Sequence, residues 1–260
     1  MFLKEIVETK QQEIEKLLPH YTDEDWSKAL QLPRGRSLAH ALRETQSLSL
    51  IAEIKPASPS KGIIKETVDP TVTALAYERG GASAISVLTD VSYFKGKPES
   101  LVKVKQAVRI PVLRKDFILE PVQVLESKLL GADAILLIAA ILDQENLQLL
   151  SRTAHRLGME VLVEIHEESE IGRALTCEAD VIGINNRNLH TFVTDLATTE
   201  RLRPLLPSDV PVIGESGVHS VQDAVRMAKA GVDGILVGEY LMRESDPERA
   251  VRQLVEREAG

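Results

Sequence analysis

Eight short apolar runs, separated by stretches of helical spacing, predict a (β/α)8 barrel preceded by an N-terminal helical extension. The runs cover residues 48–54, 84–88, 112–115, 134–138, 160–165, 181–185, 212–215 and 234–237. Their almost unbroken hydrophobicity suits parallel strands covered on both faces. A second sign is a phrase repeated at helix-to-strand junctions: GGASAISVL, LGADAILLI, CEADVIGIN and AGVDGILVG. The third is length. At 260 residues the chain matches a barrel of this type, which takes roughly 250 residues as one domain. A doubly wound open sheet would carry a GxGxxG turn after its first strand, and none is present.

Residues 1–47 form the expected extension and residues 48–260 the barrel, one domain overall. Ile6, Glu13, Ile14, Leu17 and Leu18 outline one amphipathic helix, Trp26 anchors a second, and SLAHALRE reads as a third with Ser37 as its cap. The extension is either a floor that closes the barrel or a flap over the catalytic mouth; the sequence leaves both open. Further along, three groups each mark a buried helical face: Val72, Leu75 and Ala76; Val122, Leu125 and Leu129; Leu147, Leu150, Ala154 and Leu157. Pro121 suits a first helical position. Gly80, Gly131, Gly158 and Gly231 are expected as left-handed helix ends.

Bulk chemistry narrows the function. A net charge of −8, from 31 basic and 39 acidic residues, supplies no excess of cations to displace phosphate counterions, so no nucleic-acid partner is expected. Cys177 is the single cysteine, which excludes an internal disulfide or a cysteine-rich zinc cluster. The charged N-terminus lacks the apolar core of a secretory signal. The longest apolar run, 134–142, is too short to span a bilayer. A cytoplasmic protein without a membrane partner is expected, and a monomer, since no extended exposed apolar helix is evident. His20, His40, His155, His166, His190 and His219 show no metal-binding spacing, so no metal is expected. Only His166 falls near the expected mouth; it is assigned to the strand face opposite Glu164, as a surface or supporting histidine.

In barrels of this class chemistry sits at the C-terminal strand ends, so polar residues there are the informative ones. Glu53 and Lys55 in IAEIKPASPSKG lie two apart and point to one side of the first strand. They are either a structural ion pair or part of a site. Lys115 ends the third strand, with Asp116 and Phe117 following. Glu164 interrupts the fifth, Asn185 and Arg187 end the sixth, Glu215, Ser216 and Gly217 the seventh, and Gly238 the eighth. In a parallel barrel these groups converge on one mouth. Small residues after strands seven and eight let backbone N–H groups approach an anion, and a short helix after them adds its positive end. A phosphorylated ligand is therefore expected.

IAEIKPASPSKG, LRKDFI, LLIAAIL, LVEIH, IGINNRNL, GESGV and LVGEYLM resemble, in order, the motifs of the indole-3-glycerol-phosphate synthase family. The likeness extends over roughly residues 48–245 and into the extension. It implies a cofactor-free carboxy-lyase of tryptophan biosynthesis. Its substrate would be the anthranilate–sugar phosphate 1-(2-carboxyphenylamino)-1-deoxyribulose 5-phosphate. By the same resemblance Lys115 is the general acid and Glu164 the general base, with Glu53, Lys55 and Asn185 assisting. Ser58, Phe117, Arg187, Glu215 and Ser216 would bind the substrate; Lys55, Ser216, Gly217, Gly238 and Glu239 would face its phosphate. An acid and a base on different strands, held apart, suit this chemistry. Desolvation or a cationic neighbour such as Lys55 is expected to lower the pKa of Lys115.

Two positions depart from the family pattern. Pro56 stands where a basic residue is common, and Glu239 where serine is common. Since a carboxylate repels phosphate, only the backbone N–H of Glu239 is expected to face the ligand. The rival readings are phosphoribosylanthranilate isomerase, the tryptophan synthase α chain, a Schiff-base aldolase using Lys115 and a non-catalytic binding barrel. The isomerase would need a Cys/Asp pair, yet Cys177 falls in a helix-to-strand connection.

Overall fold

The structure, a computed structural model, describes residues 2–45, 47–189 and 191–256. Eight parallel strands close a barrel: β1 (Ser49–Ile54), β2 (Ala84–Leu88), β3 (Val112–Lys115), β4 (Ala134–Ile138), β5 (Glu160–Ile165), β6 (Val181–Asn185), β7 (Val212–Glu215) and β8 (Gly234–Val237). Each pairs with its sequence neighbours. β1 closes the ring by pairing with both β2 and β8, where Ile51 stands opposite Ala84 and Leu236. The order is that of the predicted runs; only the first strand starts one residue later.

Strand alternation sorts side chains into two cores. Ile51, Leu113, Leu162, Ile213 and Leu236 point inward, while Leu50, Ala52, Val112, Val161, Val163 and Val212 pack outward on the helices. Residues two further along an inward-facing series stay inside. Glu53, Lys115, Glu164 and Glu215 thus rise directly above Ile51, Leu113, Leu162 and Ile213, at the C-terminal rim.

The outer helices are α4 (Pro70–Arg79), α5 (Pro98–Ala107), α6 (Pro121–Leu130), α7 (Gln144–Arg156), α8 (Ile171–Thr176), α9 (Ala197–Leu202), α10 (Val221–Lys229), α11 (Glu239–Arg243) and α12 (Pro247–Glu256). Pro121 opens α6 as expected, and Leu147, Leu150, Ala154 and Leu157 are buried. The α4 face differs from expectation. Ala76 is buried as expected, but Val72 is 62% exposed, and Ala74 and Tyr77 are buried in its place; α4 is wedged between α5 and α12, which turns the Ala74–Tyr77 side inward. Gly131, Gly158 and Gly231 are left-handed, but Gly80 is not: the left-handed residue there is Gly81, with φ 98°. Gly80 is needed for space, since a Cβ would meet Val251 Cβ at 2.7 Å.

The extension serves both ends of the barrel. It comprises α1 (Phe2–Leu17), α2 (Asp23–Gln31) and α3 (Leu38–Arg43). The Ser37 hydroxyl caps α3 by accepting from the His40 N–H at 3.0 Å. Leu38 and Leu42 of α3 enter the inner core beside Ile51, Ala84 and Ile213 and seal the bottom. α1 lies at the opposite end, where Leu3 and Ile6 line the mouth. There Lys10, 4% exposed, pairs with Asp90 at 3.0 Å and Asp116 at 2.9 Å. Floor and flap are thus two parts of one segment.

Candidate active site

Lys115 stands at the centre of the mouth. Its Nζ lies 3.3 Å from Glu215 Oε2 and 3.8 Å from both Glu53 Oε1 and Glu164 Oε2. Strands β1, β3, β5 and β7 therefore each contribute one charged group to a single cluster. The second lysine, Lys55, sits 3.1 Å from Glu53 Oε2 and 5.6 Å from the centre of the Phe94 ring. Glu53, Glu164 and Glu215 are each at most 3% exposed. Three carboxylates at this depth are tolerable only because two ammonium groups face them.

Local backbone makes the cluster possible. A Cβ on Gly183 of β6 would collide with the Glu215 carboxylate, and one on Gly238 with that of Glu53. Both carboxylates fill space that glycine leaves open. Ser216 and Gly217 follow β7 with φ of 64° and 88°, a conformation that side chains resist. Asn186 steadies this turn: its amide donates to the Ser216 carbonyl at 3.1 Å, and its Oδ1 accepts from the Thr199 hydroxyl at 2.8 Å.

Two confluent cavities meet at the lysines. One is walled by Phe94, Phe117, Leu136, Ile138, Leu189 and Phe192 and holds Lys115, Glu164 and Asn185 at its base. The other is lined by Ser216, Gly217, Val218, Gly238 and Glu239, with Lys55, Ser58, Lys115 and Arg187 on its inner side. The first offers an apolar slot edged by acid and base; the second offers cations and backbone amides suited to an anion.

Electrostatics correct one expectation. The Lys115 pKa is raised, not lowered. Burial opposes its charge, but Glu215, Glu53 and Glu164 together outweigh that cost and hold the ammonium form. Burial pushes the Glu215 carboxyl up to about 7, against the pull of Lys115, and Glu164 and Glu53 add to the rise. Glu53 also suffers desolvation, yet Lys55 and Lys115 bring it below the usual carboxylate range. Lys115 and Glu164 are not held apart either. They touch, because β3 and β5 flank only β4 and their inward side chains meet across it.

The other expected site residues fall as follows. Ser58 is buried, and its Oγ has no hydrogen-bond partner among the described residues. Asn185 Oδ1 accepts from the Arg187 N–H at 3.0 Å. Arg187 donates to the Ser60 hydroxyl, tying the β6 loop to the β1 loop. Phe117 packs 6.1 Å from Phe94. The Glu239 side chain is turned to Arg243, 3.1 Å away on α11. Glu215, expected at the substrate surface, borders the second cavity and is also the nearest carboxylate to Lys115.

His166 departs most from expectation. Two residues after Glu164, it shares that residue's side of the chain, not the opposite one, and its Nε2 lies 3.3 Å from Glu164 Oε1. Cys177 is buried at the end of α8, as expected of a connection, and burial lifts its thiol to about 11. His190 lies outside the described residues.

Sequence reasoning missed Leu3, Ile6, Phe94, Leu189 and Phe192 in the wall. One signal was available. The chain has only four phenylalanines, and Phe94, Phe117 and Phe192 all follow strand ends.

The sequence profile of indole-3-glycerol phosphate synthase matches residues 3–254. A protein of that name from Geobacillus thermodenitrificans is 48% identical, covering 99% of this chain and 98% of its own. One from Halalkalibacterium halodurans is 47% identical, with 97% and 96% covered. One from Dehalococcoides mccartyi is 51% identical, over 81% of this chain and 82% of its own. Among solved structures, thiamine phosphate pyrophosphorylase from Pyrococcus furiosus superposes with a TM-score of 0.64 at 18% identity, over 84% of this chain and 96% of its own. KGPDC from Streptococcus mutans does so at 0.62 and 13%, over 83% and 100%. At such identities these two speak for the barrel alone.

Proposed function

The chain belongs to the indole-3-glycerol phosphate synthase family, and from that premise we propose that Lys115 and Glu164 convert 1-(2-carboxyphenylamino)-1-deoxyribulose 5-phosphate to indole-3-glycerol phosphate, CO2 and water. The observation that carries the assignment is the 3.8 Å approach of Lys115 Nζ to Glu164 Oε2, between an apolar slot and a cradle of glycines and cations. The phosphate lies against the Ser216–Gly217 and Gly238–Glu239 backbone with Lys55 and Arg187 beside it. The anthranilate ring packs on Phe117 and Phe94.

In the first step the ring carbon that bears the carboxylate bonds to the sugar ketone carbon. Lys115, kept as an ammonium by its three carboxylates, gives its proton to the ketone oxygen as that oxygen gains charge. The bond to the carboxylate then breaks, CO2 departs, and its electron pair restores the ring. In the last step the Lys55 ammonium gives its proton to the new hydroxyl, which leaves as water, while Glu164 takes the proton released in forming the indole double bond; proton return from Glu164 and one proton from solvent recharge the two lysines. Glu53 orients both lysines. Asn185 and Arg187 hold the carboxylate and the sugar hydroxyls. The working form is a cytoplasmic monomer that needs no cofactor.

A Schiff-base aldolase would need a free amine at Lys115, and the surrounding carboxylates disfavour one. Borohydride with a sugar phosphate should therefore leave no covalent adduct. Indole fluorescence from the substrate tests the main assignment. Lys115→Met and Glu164→Gln should each lose on the order of 10²-fold or more in kcat while remaining folded. Wild-type-like turnover in either variant removes that residue from the mechanism.

A further inference from the structure

His166 follows β5 directly, and 13% of its side chain is exposed. Its Nε2 lies 3.3 Å from Glu164 Oε1 and its Nδ1 3.8 Å from Glu170 Oε2. Both are ion-pair approaches: neither ring nitrogen has a hydrogen-bond partner among the described residues. Glu170 is itself fixed, because its Oε2 accepts from the backbone N–H of His166 at 2.5 Å and of Glu167 at 3.3 Å. A carboxylate–imidazole–carboxylate line thus runs from the mouth to the start of α8. The charge of the Glu215 carboxylate on β7 also favours the protonated ring. On the far side of Glu164, Lys115 approaches its other oxygen, Oε2, at 3.8 Å.

Resting on the reading of Glu164 as the base, we propose that His166 is a positioning residue: its imidazolium grips Oε1 of Glu164, so that Oε2 stays turned toward Lys115 and the substrate. The terminal torsion of a glutamate is broad and roughly two-fold, so a carboxylate held at one oxygen alone swings easily. Cations at both oxygens fix its plane. A neutral ring would leave Glu164 Oε1 and Glu170 facing each other with no cation between them, whereas an imidazolium serves both. Glu170 in turn holds the ring, which explains a buried acid outside the mouth that has no other role in the reaction.

His166→Ala, His166→Gln and Glu164→Gln test this in the fluorescence assay, each checked for folding by its thermal melt. His166→Ala should lower kcat about 10- to 100-fold, the scale of a misaligned catalytic group, with KM within about two-fold. His166→Gln keeps a donor near Nε2 without the charge. It should recover part of the loss, and its kcat should fall off at a higher pH on the acid side than in wild type. A His166→Gln enzyme with wild-type kcat and pH profile overturns the inference, even if His166→Ala fails to fold, since the ring would then only pack. A loss confined to KM overturns it as well. If Glu164→Gln keeps turnover, the base assignment fails whatever His166 does. If Glu164→Gln is inactive and His166→Gln is indistinguishable from wild type, the His166 role alone fails.

Discussion

Glu215 is the residue whose state the barrel interior changes most plainly. Its folded pKa of about 7 lies above that of an exposed glutamate, roughly 4.3. Between those values the native state binds more protons than the unfolded chain, so native stability falls as pH rises through the window. Glu215→Gln cannot ionise, and its amide fits the space that Gly183 leaves. Relative to wild type it should be more favoured at pH 8 than at pH 5, by on the order of 1–3 kcal/mol in urea unfolding. An equal difference at both pH values would refute the raised pKa. The sequence disclosed that Glu53, Lys55, Lys115, Glu164 and Glu215 end inward-facing strands, because alternation needs no coordinates. It did not disclose that Glu215 comes nearest Lys115. That approach depends on the missing side chain at Gly183, a neighbour in the barrel but remote in the chain.

At the scale of elements, the sequence predicted strands better than it predicted what lies between them. Buried parallel strands announce themselves as unbroken apolar runs; helices here reveal only which residues repeat, not which neighbour they meet. The α4 face was misplaced for that reason, with Val72 pointing to solvent. The hairpin of Ala57–Ser58 with Gly62–Ile63 in the β1 loop also went unseen, since two-residue strands leave no periodicity to read. α1 shows the same limit: its apolar stripe was legible, but not its seat. That seat is ionic, with Lys10 between Asp90 and Asp116, and Asp116 further paired to Arg114 at 3.2 Å. Asp90 also accepts from the Tyr93 and Phe94 N–H groups, so the same acid shapes the aromatic wall. Lys10→Met keeps the bulk and removes the charge, leaving Asp90 buried without its cation. The expected cost is about 3 kcal/mol, seen as a lower Tm and faster hydrogen exchange along α1. Unchanged exchange would show that α1 is held by its apolar contacts instead.

For the whole molecule, closure turns scattered charges into one site. Pairing of Ser49 with Gly234 joins the two ends of the barrel, and Leu38 and Leu42 plug the bottom so that the mouth is the open end. Eight runs in sequence implied this ring; the convergence of their polar ends follows from parallel strands of common direction. The dual placement of the extension did not follow, because α1 and α3 are both amphipathic and only packing tells the top of a barrel from its floor. The account rests on Lys115 and Glu164 flanking one reacting centre beside a phosphate cradle. A crystal structure with a reduced, unreactive analogue of the anthranilate–sugar phosphate tests this most directly. The phosphate should lie on the Ser216–Gly217 and Gly238–Glu239 amides, the ring against Phe117, and the reacting sugar carbons within reach of both Lys115 Nζ and Glu164 Oε2. A phosphate bound elsewhere, or a sugar carbon out of reach of either side chain, would contradict it.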